Sequence, residues 1–422
     1  MNPTVVSLIK RAFHIPLMDQ MMVSATNFLM TVVIIRLLGL DVFGVMTIML
    51  LVVLFFQSIQ NAYILSPIQT LYHQQDNPQD YARHSVTTQC IFGLISAIAA
   101  VVFLIVFRHY SDIHYDDSVI LPVFFLVLSR QIQEFIRRYG FTIATPIPVF
   151  VNDIIAYGAY VPVLLILHML DMLTLQTALW SLTLLTIGAC IHGLSFLPKP
   201  AYNHKTKTVA LEHARYSKWL VGTASLQWLS GDYFIFMTSV IMGTTSVGIL
   251  RAVERIMAVL NILILTIENI YPSKAATAYK NTYKAGLWAC VISMYKREGL
   301  AILAISIILC LFAEPMLTLI YGENMREHAY LLQFFALAYM FTFIRLPLHI
   351  ILRTCHRTRP IFASFCVTAV FSLITAKWLI TQYGLNGAAI GVVITRILTA
   401  FWYAAAVWHS DKKGFIKQGE AI

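Results

Sequence analysis

A chain of 422 residues that is 59% hydrophobic and 12% charged, with a mean hydropathy of +0.73, carries too much apolar surface for a water-soluble core. This excludes a soluble fold with an anchor, and no stretch between the apolar runs is long enough to hold a soluble domain. The net charge of +10 sits mostly in short connections beside apolar runs, which describes a membrane-facing rim and excludes a nucleic-acid surface.

In chain order, MNPTVVSLIKRAFHIPL places Lys10 and Arg11 before the first apolar run with no small-residue cleavage site after it, so the expectation is an uncleaved first span. Runs of about 20 residues bounded by charge or turn residues then give twelve spans, at 16–37, 43–65, 85–107, 118–138, 147–168, 174–197, 219–241, 248–271, 299–320, 328–351, 358–381 and 385–408. Alternate connections hold 21 Lys and Arg on one side (Lys10 to Lys417) against Arg36, Arg108 and Arg326 on the other, which puts both termini in the cytoplasm. Six more, Arg130, Arg251, Arg255, Arg345, Lys377 and Arg396, fall inside spans. The six cysteines are scattered singly and read as small apolar fillers. The loop HYSDIHYDDS brings together His109, Asp112, His114 and Asp116; it reads as a solvated acidic turn, and no metal or cofactor site is expected.

The stretch GILRAVERIMAVLNILILTIENIYP, 248–272, is long and apolar enough to cross a bilayer, yet carries Arg251, Glu254, Arg255, Asn261 and Glu268. Arg251, Glu254, Asn261 and Glu268 recur at helical spacing over about 25 Å of helix. A charge at mid-bilayer costs about 2.5–3.5 kcal/mol, so this face cannot meet lipid. It lines a wet or substrate-filled cavity, or it is a set of buried ion pairs. Span one carries Gln20, Ser24, Asn27 and Thr31 on one face with Asp19 near its cytoplasmic end, and span two ends in FFQSIQNAYILSP, clustering Gln57, Gln60 and Asn61 before Pro67. In span four Arg130 and Glu134 are four apart and either pair with each other or face a cavity. Asp232, in LQWLSGDYFIF of span seven, is either a partner for Arg251 or Arg255 or a cation-coupling group.

Two cytoplasmic connections are longer. KAATAYKNTYKAGLWACVISMYKRE reads as an amphipathic surface helix with Leu287, Val291 and Met294 on one side. KPAYNHKTKTVALEHARYSKW falls near the midpoint, dividing the chain into an N-terminal six-helix lobe (1–198), a linker (199–218) and a C-terminal six-helix lobe (219–422). Six is even, so the halves insert with the same orientation, a parallel pseudo-two-fold repeat. A short echo supports it: RLLGLDVFGVMTI has Gly39 and Gly44 five apart, and SVIMGTTSVGILRAV has Gly243 and Gly248 at the same spacing and the matching place.

DQMMVSATNFLMTVVIIRLLGLDVFGVMTIMLLV followed by QNAYILSP, then LTLIYGENMREHAYLLQFFALAYMF, LHIILRTCHRTRP and YGLNGAAIGVVITRIL, resembles the Wzx-type lipid-linked oligosaccharide flippases of the multidrug/oligosaccharidyl-lipid/polysaccharide exporter superfamily. The resemblance runs the whole chain and implies an all-α membrane fold in two lobes around a central cavity. It also implies alternating-access export of polyprenyl-diphosphate-linked oligosaccharide for O-antigen, capsule or exopolysaccharide assembly. The substrate moves from the cytoplasmic to the outer leaflet of a bacterial inner membrane, driven by an ion gradient, H⁺ or Na⁺, with polysaccharide polymerase and assembly proteins as partners. A transporter of this kind is not an enzyme. The cavity then needs forked cationic donors for diphosphate and amides for sugar hydroxyls: Arg130, Arg251, Arg255, Arg345, Lys377 and Arg396, with Gln57, Gln60, Asn61, Gln227 and Trp228. Asp232, Glu254, Glu268 and Asp19 are the candidates for ion coupling. The alternative is a cation or drug antiporter of the same fold, which would want carboxylates in excess. A peptidoglycan-precursor flippase is a lesser reading.

Overall fold

The structure, a computed structural model, describes residues 3–412 and Gly414 except 112, 114 and 144, with side chains from Met18 onward apart from Asn269. The side chains of Lys10 and Arg11, and Asp112, His114, Lys413 and Lys417, lie outside the described residues. Every regular element described is helical. The chain divides into two compact units, one of residues up to Ser225 with Gly243–Gly248, the other of Leu226–Met242 with Ile249–Ile422.

The first unit opens with α1 (Pro3–Gln60), 58 residues interrupted at Gly39, whose φ of 89° leaves the helical region. A straight helix of that length would run about 87 Å, nearly three bilayer cores, so the glycine divides it into two membrane passes. A π-turn (Asn61–Leu65) and α2 (Ser66–Leu71) follow. Pro67 explains the widened turn: its ring would strike the Tyr63 carbonyl in a regular helix, and the Ser66 hydroxyl instead donates to the Asn61 carbonyl at 2.8 Å. The same device precedes Pro162, where a π-turn (Ile154–Gly158) joins α5 (Pro146–Asp153) to α6 (Tyr160–Met169).

Between these lie α3 (Pro78–Tyr110), capped by the Asn77 side chain on the Asp80 amide, and α4 (Ile120–Thr142). On α3 the large residues Ile91, Leu94, Ile95, Ile98 and Val102 are exposed, while Gly93, Ser96, Ala97 and Ala100 are buried. That inverts a soluble helix. The branched side chains face lipid, and small residues let α3 approach α4 closely. α7 (Leu175–Gly193) completes six passes, its start closed by a capping box between Thr174 and Thr177.

The linker expected over 199–218 is largely helical. α8 (His204–Gly231) begins in it and continues into the seventh pass. Thr206, Val209, His213 and Ser217 form its buried face. Tyr81 Oη meets His213 Nε2 at 2.8 Å, Tyr63 Oη donates to the Ala210 carbonyl at 3.3 Å, and Gln75 donates to Glu212 at 3.1 Å. His213 lies before the membrane pass, and burial pushes its imidazole down to about 4.

The second unit continues with α9 (Tyr233–Met242), α10 (Thr244–Ile256), α11 (Ala258–Leu311), α12 (Ala313–Tyr321), α13 (Tyr330–Thr354) and α14 (Arg359–Lys412). α11 and α14, each 54 residues, contain a break, at Thr282–Tyr283 and at Gly384 (φ 58°), so each holds more than one pass. Counted this way the described residues make twelve passes, six before the helix begun at His204 and six from that helix onward. In α11 the residues Leu287, Val291 and Met294 are buried together. Lys296 and Arg297 flank that buried face, and Tyr295 bonds the Ile344 carbonyl at 2.6 Å.

Both members of each glycine pair have a structural reason. Gly39 and Gly243 adopt positive φ (89° and 84°) ahead of a helix. Gly44 and Gly248 sit where those helices cross: a Cβ on Gly44 would collide with the Thr244 carbonyl, and one on Gly248 with the Leu40 carbonyl. The contacts are reciprocal. Leu40 and Thr244 each stand four residues before their glycine, the relation a repeat produces. Gly44→Ala or Gly248→Ala is therefore expected to lower stability by about 1–3 kcal/mol, since backbone cannot rotate aside as a side chain would. Gly222→Ala, with nothing within 4 Å of its Cβ position, should be neutral or mildly stabilising. Thermal unfolding of the three purified variants in detergent checks this; equal melting of Gly44→Ala and Gly222→Ala would refute the close crossing.

Candidate functional site

Each unit gathers its own charged cluster. In the first, α4 presents Gln133, Glu134, Arg137 and Arg138 on successive turns. Arg137 is the hub: its Nη2 donates to Asp19 at 2.5 Å, its Nε to Asp153 at 2.7 Å, and its Nη1 lies 3.8 Å from Glu134. Asp19 and Asp153 are wholly buried, Asp153 also accepts from Gln133 at 2.6 Å, and Asp19 Oδ1 has no partner among the described residues. Arg138 takes Glu134 at 2.7 Å. The Arg130–Glu134 pairing open to the sequence does not form; Arg130 lies over the Tyr157 ring, 4.3 Å from its centre. Three acids, Asp19, Glu134 and Asp153, thus meet two guanidiniums, Arg137 and Arg138, while Arg130 rests on the Tyr157 ring.

The second unit differs. α8 and α9 break at Asp232, and α10 and α11 break at Met257, so the polar stretch 248–272 is two helices. Arg251 reaches across from α10, donating Nη2 to Asp232 and Nη1 to Glu254, both at 2.5 Å. One turn further, Arg255 has a buried Nε with no hydrogen-bond partner among the described residues, and the same holds for the Nε of Arg345 on α13. Arg396 of α14 lies 4.0 Å from where a Gly231 Cβ would stand, next to Asp232. The charges acting on Glu254 are those of Arg251, Arg255 and Arg396, and Arg345 in turn feels Arg396 and Glu268. Arg251 already holds both nearby carboxylates, Asp232 and Glu254, and Arg255 and Arg396 add further positive charge around them. A buried guanidinium with unused donors is costly in isolation. It is well matched to an anion with several acceptor oxygens.

The remaining sequence candidates are dispersed. Gln60 is fully buried, donating to Gln89 at 2.8 Å and to the Gln131 carbonyl at 2.6 Å, so it serves packing within the first unit. Gln57 and Asn61 are half-buried beside it, and the Asn61 carbonyl is taken by Ser66. Lys377 is exposed on a face shared with the exposed apolar residues Val370, Leu373, Ile374 and Trp378. Gln227, Asn261 and Glu268 are exposed, and Trp228 packs against Phe236 with ring centres 6.1 Å apart. Sequence reasoning misses Arg137 and gives Asp153 no role. Arg137 closely follows span four and so falls with the cytoplasmic rim, although Asp19 and Asp153, acids inside apolar runs, signal a missing cation. Removing Arg137 and Arg138 leaves 21 − 2 = 19 basic residues against 3, so the orientation it supports is unchanged.

A helical chain of twelve passes in two compact units has the fold of the MOP-superfamily transporters. Among solved structures it is similar to the lipid II flippase MurJ in an inward closed conformation (11% identity, covering 93% of this chain and 87% of that one, TM-score 0.75). It is also similar to a multidrug resistance MATE family transporter in an inward-facing conformation (12% identity, 94% and 99% covered, TM-score 0.71). A third is a MOP-superfamily transporter from Pyrococcus furiosus described as having a binding pocket of reverse polarity (12% identity, 95% and 96% covered, TM-score 0.61). Identities this low define a shared fold. No protein-family model matches the chain, and no curated protein matches its sequence.

Proposed function

We propose that this protein is a flippase that moves polyprenyl-diphosphate-linked oligosaccharide from the cytoplasmic to the outer leaflet of a bacterial inner membrane, for surface polysaccharide assembly. The observation that carries the reading is two half-buried arginines of the second unit, Arg255 and Arg345, whose buried Nε donors have no partner among the described residues. Forked donors without a carboxylate suit a diphosphate. A cation or drug antiporter would need free carboxylates, whereas Arg251 and Arg137 between them hold Asp232, Glu254, Asp19 and Asp153. The fold is shared by a lipid II flippase and by a MATE multidrug transporter, so it admits both readings and the arginines are what favour the first.

Coupling is assigned to Asp232. Held by Arg251 in one state, it is free to take H⁺ or Na⁺ when that arginine turns to substrate phosphate, so that ion and substrate bind alternately. In this scheme transport follows alternating access, with both termini in the cytoplasm. The test is a proteoliposome assay with fluorescent polyprenyl-diphosphate oligosaccharide. Translocation that rises with an imposed proton or sodium gradient supports the proposal. Gradient-driven efflux of cationic dyes with no lipid movement overturns it. In intact cells, cysteines near Ser111 and Asn324 should label from outside and those near Thr206 and Tyr283 only after permeabilisation; external labelling at Lys207, the exposed neighbour of Thr206, would reverse the orientation.

A further inference from the structure

α14 doubles back at Gly384, and this brings its beginning against its end. Between 357–363 and 402–410 lies a cleft of about 400 Å³ lined by Arg357, Arg359, Trp402, Ala405, His409 and Ser410, with Ala363 and Ala406 in its floor. The size falls within the range of about 300–1,000 Å³ usual for small-molecule sites. Its chemistry is divided. Arg359 and His409 are exposed and Arg357 half-buried, and Pro360 with the three alanines supplies the apolar part of the lining.

Among the described residues no carboxylate lines the cleft, and the acid nearest in sequence, Asp411, is occupied by Lys284 at 2.8 Å. Trp402 is fixed at the rim by donating its Nε1 to the Pro360 carbonyl at 3.0 Å, and Lys412 lies 5.4 Å from the Trp408 ring centre. Tryptophans with lysine and arginine around them mark the headgroup level of a bilayer. The geometry points to a binding site for an anionic phospholipid: the arginines hold the phosphate, and an acyl chain lies along Ala363, Ala405 and Ala406. Basic pockets between membrane helices suit such headgroups. The site is distinct from Arg255 and Arg345, and its occupancy does not depend on what the protein transports. On the orientation proposed above it opens to the cytoplasmic leaflet.

Native mass spectrometry of the full chain, purified in detergent and titrated with phosphatidylglycerol or phosphatidylcholine, tests the site. The unaltered protein should retain phosphatidylglycerol in preference. Arg357→Gln with Arg359→Gln should weaken retention by about fivefold per guanidinium, the scale for a basic residue at an anionic surface. Ala405→Phe should abolish it with every charge intact, because it fills the cleft. A charge-matched control, Lys207→Gln with Lys218→Gln, should bind as the unaltered protein. Equal retention of the two lipids, loss in the control as large as in the arginine variant, or full binding by Ala405→Phe would each overturn the proposal. So would a dimer mass that Ala405→Phe dissociates while lipid retention stays unchanged, since a second copy would then cover the cleft.

Discussion

Replacing Arg137 with leucine is expected to leave little folded protein. The guanidinium is bonded to two wholly buried carboxylates, Asp19 at 2.5 Å and Asp153 at 2.7 Å, contributed by α1 and α5 to a site on α4. Leucine fills much of the volume but strands both acids where water cannot reach them. Breaking a buried ion pair from one side costs about 3–5 kcal/mol, comparable to the whole stability of many domains. Arg137→Lys should fall between the two, since one ammonium keeps the charge without the planar fork that spans both acids. The decisive variant is a triple one, Arg137→Leu with Asp19→Asn and Asp153→Asn, which removes the stranded charges along with their partner and should regain most of the folded fraction. Fluorescence-detected size exclusion of a tagged protein reads all three. A monodisperse Arg137→Leu at the level of the unaltered protein would show that the cluster is not what joins α1, α4 and α5.

The way these charges are shared out shows what a sequence makes legible. Spans are read from local composition, and the exposed Ile91–Val102 face of α3 follows from it because lipid-facing residues obey the same transfer energetics as the scale. The glycine echo is legible for a related reason, since a positive φ and a backbone crossing each admit only glycine, so Gly39, Gly44, Gly243 and Gly248 leave a mark that chemistry cannot blur. Leu287, Val291 and Met294 likewise declare a face before any partner is known. Pairing is another matter. Arg137 sits four residues from Phe141 and three from Glu134, and nothing local says that its partners are Asp19 and Asp153; the hub exists only once three helices meet. The linker helix is hidden because its buried face carries Thr206, His213 and Ser217, polar residues satisfied by contacts to distant segments, so no apolar period betrays it. In the polar stretch of 248–272 the spacing is right, but the break at Met257 and the engagement of Arg251 by Asp232 split it into a clamp and an arginine, Arg255, whose Nε has no partner among the described residues.

Arg255→Ala is expected to act oppositely to Arg137→Leu, and that contrast bears directly on function. Arg255 has a buried Nε with no partner among the described residues, so removing the side chain relieves a desolvated charge, and the variant should fold at least as well as the unaltered protein. If its unused donors hold diphosphate, transport should fall by about 10- to 100-fold, the equivalent of the 1.5–3 kcal/mol expected for hydrogen bonds to a charged group. Arg345→Ala should behave alike, and Arg255→Lys should recover part of the loss because the charge returns without the fork. Arg251→Ala belongs to the other kind: it frees Asp232 and Glu254, now held at 2.5 Å, and should lower the amount of folded protein as well as transport. Measuring abundance and lipid translocation on the same reconstituted preparations separates substrate contact from structural clamp. A well-folded double variant, Arg255→Ala with Arg345→Ala, that still translocates lipid-linked oligosaccharide at the normal rate would remove the anion site from the mechanism and with it the main support for a diphosphate-bearing substrate.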